Sequence, residues 1–305
     1  MNNSIEYQNN LEQFTNKMIN ALKDYYGEDY SVKSGMVTKN NDMVLHSITV
    51  FTKDRNVAPT IYAEPFFDEY EDGKPFSDII KSIIDLYDRT ADYVPFNPAD
   101  LDEYDKVRPM LIMKLINRNM NESYLTNVPY ISVCDDLALV FAILTQDEQI
   151  GMGTVLIHGD MLANWNIDID RLYSDARENM KNIVPAVLQG LKEILCDKMG
   201  GNIDADELPD TSMLVLTTRN SLNGAAALFY DGMLEEISES VGGDYYIIPS
   251  SIYELIIVPA SDETVREEAL NEMIREVNST HMRPEEILSD HAYRYNASGK
   301  MMVAV

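Results

Sequence analysis

Strand-like and helix-like segments in the C-terminal third of the chain follow one another across connections of only a few residues, and that brevity constrains the fold more than any other feature. Met213–Thr217 and Ala225–Tyr230 read as strands, 231–240 as a helix, Tyr245–Ile248 and Tyr253–Val258 as strands, and 263–278 as a helix. Parallel neighbours need long crossovers, so a ββαββα order with short turns points to antiparallel pairing with helices packed on one face. Val265, Ala269, Met273 and Val277 are spaced to bury one side of the last helix. Ala292–Tyr295 and Met301–Val305 add edge strands. The expected class is α+β, with antiparallel sheets.

Upstream, Leu11, Phe14, Met18, Leu22 and Tyr25 alternate steps of three and four, and Gly27 stands where a helix ends. Strands are expected at Val32–Val37, Val44–Phe51 and Pro59–Ala63, with Asn40-Asn41 as the turn between the first two. A helix over 75–90 would bury Phe76, Ile79, Ile80, Ile83, Ile84 and Tyr87. Residues 92–105 combine prolines, aromatics and acids and suit a linker. Beyond it, Met110–Ile116, Tyr130–Cys134, Leu137–Leu144 and Thr154–His158 read as strands. One helix follows Asp168 with Leu172, Ala176 and Met180 on a face, and a second carries Val184, Val187, Leu188, Leu191 and Leu195. Residues 200–210 are acidic and glycine-rich without an apolar stripe, so they read as a solvated connection. Three regions result: 1–105, 106–200 and 201–305.

Charge constrains the partners. Against 24 Lys and Arg stand 51 Asp and Glu, a formal net charge of −27. Binding nucleic acid depends on basic side chains that neutralise phosphates, so nucleic acid is a poor partner, and anionic membranes are disfavoured for the same reason. With 45% apolar and 25% charged residues, the 305-residue chain can bury a core without staples. Only Cys134 and Cys196 occur, in apolar surroundings that suit two buried thiols in a reducing compartment. The first residues lack a basic stretch followed by an apolar run, and Leu137–Leu144 is too short to span a bilayer. A cytoplasmic protein without a membrane anchor is expected.

Motifs for chemistry are sparse. Gly151 and Gly153 begin a Gly-x-Gly, but Leu156 holds the third glycine position and a strand follows, so no nucleotide cofactor is expected. Asp68, Asp72 and Gly73 have calcium-loop spacing, yet Tyr70 and Ile79 stand where oxygen ligands belong. His46, His158, His281 and His291 form no closely spaced pair of the kind that holds zinc, and no metal is expected. The best constellation is C-terminal. Asp290 and His291, assisted by His281 or Glu254, are chemically sufficient for acid–base work, although the same residues are ordinary in turns. Ser221 with Asn223-Gly224, and Ser250-Ser251, lack the glycines that flank a nucleophile elbow. Trp165 is the one tryptophan, suited either to anchoring a partner or, more often for this residue type, to core packing.

Several segments carry a resemblance. They include Pro59-Thr60-Ile61-Tyr62, Val155-Leu156-Ile157-His158 with Trp165 after it, and Asn223-Gly224-Ala225-Ala226. Ile248-Pro249-Ser250-Ser251, Glu254, Arg275-Glu276-Val277-Asn278 and Leu288-Ser289-Asp290-His291 with Tyr293 are the most distinctive. The chain resembles a bacterial family known as domain of unknown function five-six-eight-eight. The resemblance implies one integrated unit and a bacterial cytosol, and it brings no agreed activity. The leading expectation is a non-enzymatic acidic interaction or regulatory protein that binds a basic protein partner. The alternatives are a hydrolase-like enzyme using the Asp290/His291 group, and an inhibitor that imitates nucleic acid.

Overall fold

A computed structural model describes residues 5–52, 58, 60–90, 98–147, 151–198, 211–262 and 265–305. The chain divides into two units, one of Met1–Lys39, Met43–Pro98 and Gln146–Gly151, the other of Asn40–Asp42, Ala99–Thr145 and Met152–Val305.

In the first unit, α1 (Ile5–Tyr26) buries Leu11, Phe14, Met18 and Leu22 of the three-four row of the sequence, and Ile19 beside them. Its last member departs from that row, because Tyr25 is exposed and Tyr26 packs inward instead. Gly27, at φ +65°, turns the chain away. Strands β1 (Tyr30–Thr38), β2 (Val44–Thr52) and β3 (Thr60–Tyr62) form an antiparallel sheet in that order. Helix α2 (Ala63–Glu71), which carries Asp68 of the calcium-like spacing, was not evident in the sequence; Gly73 ends it at φ +97°. Helix α3 (Phe76–Thr90) buries Ile79, Ile83 and Tyr87 against Ile48, Val50 and Phe67.

The second unit begins its regular structure with α4 (Tyr104–Val107) and β4 (Leu111–Asn117). Strands β5 (Tyr130–Ser132), β6 (Leu137–Asp147) and β7 (Gly151–Leu156) follow; β6 pairs with β4, β5 and β7. Apolar residues on both faces of β6 are explained by two cores. Leu139, Phe141 and Ile143 enter the main cluster, while Ala138 and Val140 enter a smaller one with Leu125 and Val128. Next come α5 (Gly159–Trp165) and α6 (Ile169–Ile183). The Asp168 side chain accepts the Arg171 N–H at 2.9 Å, a cap that stabilises the start of α6 by about 1 kcal/mol. Leu172, Ala176 and Met180 of α6 face the main core, as their spacing predicts.

The residues expected as a helix over 184–195 instead form strand β8 (Ala186–Gly190) and helix α7 (Leu191–Lys198). Pro185 and Gly190 both disfavour a helix interior, and β9 (Leu214–Thr218) supplies an antiparallel partner in the register Ala186↔Thr218. A second correction falls at 225–230, expected as a strand and found as a 3₁₀ turn over Gly224–Phe229. Ala225, Ala226 and Ala227 are wholly buried, and a tight helical turn lets three small side chains pack on several sides at once. Then follow α8 (Met233–Val241), β10 (Tyr245–Ile248), β11 (Leu255–Pro259), α9 (Glu267–His281), β12 (Tyr293–Asn296) and β13 (Met301–Ala304). The six-stranded sheet runs β13-β12-β10-β11-β9-β8 with every pair antiparallel.

The chain is therefore an α+β protein with antiparallel sheets. The expected linker at 92–105 lies partly, and the connection at 200–210 wholly, outside the described residues. Residues of the central and C-terminal regions share one main core in the second unit.

Helix α9 carries a third correction. Its buried residues are Leu270 and Ile274, packed with Tyr246, Ile248, Val258 and Ala292, while Met273 and Val277 are exposed. Polar groups decide this rotation. Asn271 donates to the Val305 carbonyl at 2.7 Å and accepts the Ala292 N–H at 2.8 Å, and Asn278 donates to the Ser289 carbonyl at 2.9 Å. Turning the other apolar row inward would leave these buried backbone groups unpaired, at about 1–3 kcal/mol each.

Candidate functional site

The pairing of β4 with β6 sets Asn117 opposite Leu137, and this brings the polar residues that close the two strands together. Asp136, directly before β6, is buried among polar partners. Its Oδ1 accepts the Tyr293 hydroxyl at 2.7 Å, its Oδ2 accepts the Asn117 amide at 2.5 Å, and its carbonyl accepts the Arg118 N–H at 2.6 Å. Asn117 is held in one orientation, since its own Oδ1 accepts the N–H groups of Asn119 and Met120.

His291 joins this group from the segment before β12. Its Nδ1 lies 3.1 Å from Asp290 Oδ1 and 3.2 Å from Ser289 Oγ. Its Nε2 faces Asp136 Oδ1 at 3.6 Å, an ion-pair distance too long for a hydrogen bond, and that nitrogen is shielded from solvent without a closer partner. The ring also lies 5.0 Å from that of Tyr293. Side chains of α9 brace the segment on both sides, through Asn278 at Ser289 and Asn271 at Ala292.

The electrostatics follow from this packing. The Asp136 carboxylate that faces its Nε2 raises the His291 pKa above the ordinary imidazole range, burial works against it, and Asp290 adds to the rise. Burial alone would raise the Asp136 carboxyl, yet His291, Tyr293 and Asn117 together outweigh it and hold the group below the usual carboxylate range. Burial pushes the Tyr293 hydroxyl far up, so it acts here as a donor. The two carboxylates thus favour the protonated imidazole more than water does.

Of the residues singled out in the sequence, Asp290 and His291 meet. His281 lies exposed at the end of α9 with its Nδ1 2.5 Å from Thr280 Oγ1. Glu254 sits in the turn between β10 and β11, where Ser250 Oγ approaches its Oε1 at 3.5 Å and its carbonyl accepts the Ser251 N–H. Among the described residues, no hydrogen bond or ion pair of His291 reaches His281 or Glu254. Trp165 is 8% exposed, its indole N–H donates to the Leu101 carbonyl at 2.7 Å, and its ring packs 5.5 Å from Tyr104. It serves the core rather than a surface anchor. Cys134 and Cys196 are free and half-buried rather than fully buried.

Sequence reasoning missed Asp136, Asn117 and Tyr293 as members of the cluster. The available signal was a polar residue abutting each of two apolar strands, at Ile116-Asn117 and Asp136-Leu137, but only the pairing register joins them. Among the described residues, no group of three or more His, Cys, Asp or Glu is placed to hold a metal ion, and no helix is long and apolar enough to cross a membrane.

Fold and cluster together define an antiparallel α+β protein in which a half-buried histidine ties a strand end to a neighbouring sheet. The model of a family described as of unknown function, DUF5688, matches residues 11–297, and the chain belongs to that family. Comparison with curated proteins and with solved structures gives no match.

Proposed function

We propose that this protein acts by binding, as an acidic interaction or regulatory protein whose partner is a basic protein. One observation carries the reading: if every Lys and Arg took one carboxylate, 27 carboxylates would remain without a basic partner. Several described cations are already paired internally, including Lys106 with Asp100, Arg171 with Asp175, and Arg177 and Lys181 with Asp231. The surplus therefore faces outward as a negative field. Such a field draws in positively charged surfaces and repels polyanions.

Acid–base catalysis at Asp290 and His291 is the second reading, favoured by their 3.1 Å contact. It requires His291 to exchange a proton with a substrate. The shielded Nε2 and the inward bonds of Asp136 instead suit a structural tie. Turnover that disappears in His291→Gln while partner binding persists would support this reading.

The test is affinity capture on the immobilised full chain from a lysate of the source organism, eluted with a NaCl gradient and repeated with purified components. The expected result is one basic protein, recovered in fixed stoichiometry and released by salt. Recovery of no such protein, or salt-sensitive binding to DNA or RNA instead, refutes the proposal.

A further inference from the structure

Helix α9 bears an apolar row that the described protein does not cover. With Leu270 and Ile274 inward, Ala269, Met273 and Val277 lie four residues apart along one solvent-facing line, and Met273 and Val277 keep 44% and 42% of their surface exposed. Glu272 follows Ala269 by three positions and Glu276 follows Met273 by three, so each carboxylate stands beside the row. Both glutamates are exposed, and among the described residues neither has an ion pair. At about 100° per residue, Arg275 falls on the far side of the glutamates from the apolar row.

We propose that the Ala269–Met273–Val277 row, flanked by Glu272 and Glu276, docks a cationic amphipathic helix of a partner protein. The partner's apolar stripe covers Met273 and Val277, and its Lys or Arg side chains meet the glutamates, as in other helix-on-helix recognition. The inference rests on the reading of the chain as an acidic binding protein, and it places the contact on one helix. Charge selects the occupant. A second copy would bring another body of formal charge −27 and set glutamate against glutamate. A cationic helix satisfies both halves of the surface, and an anionic membrane satisfies neither carboxylate.

Fluorescence anisotropy with the full chain tests this, using a labelled Leu/Lys peptide patterned as an amphipathic helix and a scrambled peptide of the same composition. The patterned peptide should bind about tenfold more tightly, a difference that needs only a modest buried contact. Met273→Ser/Val277→Ser should abolish the preference with thermal unfolding unchanged, since both side chains are exposed. Glu272→Lys/Glu276→Lys, which leaves the apolar row intact, should weaken the patterned peptide independently. Equal binding of the two peptides, or a preference that survives both variants, overturns the proposal. So does a concentration-dependent dimer in sedimentation velocity that the serine variant abolishes, because a second copy would then be the occupant. Capture of the same salt-sensitive basic protein by wild type and serine variant alike overturns the α9 assignment while sparing the acidic-binding reading. Peptide preference without any natural basic partner does the reverse.

Discussion

Asp136→Asn keeps the shape of the buried carboxylate and removes its charge, and the surrounding geometry fixes the cost. Asn117 cannot turn its amide over without forfeiting the bonds its oxygen accepts from Asn119 and Met120. The new side chain must therefore point its oxygen at Asn117 and its NH₂ at Tyr293 and His291, and the Tyr293 hydroxyl must change from donor to acceptor. Hydrogen bonds to charged groups contribute about 1.5–3 kcal/mol and neutral ones about 0.5–1.5 kcal/mol, so neutralising two of them costs about 2 kcal/mol. Loss of attraction to His291 raises the total to about 3 kcal/mol near pH 6. The pH window follows from the directions of the two shifts. His291, raised in the fold, contributes stability in full below its unfolded value of about 6.5 and loses it as pH rises through the folded value. Asp136, lowered in the fold, contributes above its unfolded value of about 3.9 and loses that as pH falls through the folded value. The penalty of Asp136→Asn should be largest between about pH 4 and pH 6.5 and should shrink as pH rises through the folded His291 value. Urea unfolding followed by emission of Trp165, the one tryptophan and a member of the same core, reads it directly. A loss below about 0.5 kcal/mol at pH 6, or one that grows toward pH 8, would refute the assignment of the cluster as a charged structural tie.

Gly224→Ala should cost more than about 3 kcal/mol in urea unfolding, because rigid backbone cannot yield to an added carbon as a flexible side chain can. The added Cβ would lie 2.0 Å from the Tyr253 carbonyl oxygen and 3.0 Å from Thr217 Cα, and wild-type stability in this variant would show the packing there to be loose. Trp165→Phe removes the bond to Leu101 and leaves that carbonyl unpaired; a loss of about 1–3 kcal/mol is expected, and no change would mean that the bond contributes nothing. Because 27 surplus negative charges repel one another, raising NaCl from about 0.05 to about 0.5 M should raise the unfolding temperature. A fall over that range would mean that attractive pairs dominate the surface field.

Elements with a single strong period were legible. The rows Leu11–Phe14–Met18–Leu22 and Leu172–Ala176–Met180 each name one helix face, and each is buried as spaced. Where the sequence was ambiguous, distant partners decided. Ala186–Gly190 could extend a helix on local pattern alone, and it became a strand because β9 offered an edge beside Pro185. Ala225–Ala227 could line a strand face, yet the crowding of Gly224 against Tyr253 and Thr217 favours a tight turn. Half of the candidate site was legible for the same reason. Asp290 and His291 are sequence neighbours, whereas Asp136 and Asn117 join them only through strand pairing that local spacing does not encode.

Helix α9 takes the argument one step further. Its sequence offers two apolar rows, Ala269–Met273–Val277 and Leu270–Ile274, and hydrophobic burial alone gives little reason to choose, since each places a few side chains out of water. Orientation was settled by two asparagines whose amides complete the backbone bonding at Ser289, Ala292 and Val305. An unpaired amide or carbonyl costs about as much as an exposed Met or Val, so three such bonds outweigh the longer row. Ala269, Met273 and Val277 then stay at the surface, whereas Val265, ahead of the helix, packs against the cluster of Leu270 and Ile274. What sets Met273 and Val277 apart from other exposed apolar residues is their place on one helix line beside Glu272 and Glu276, which is the pairing of apolar and anionic surface that a cationic amphipathic helix complements.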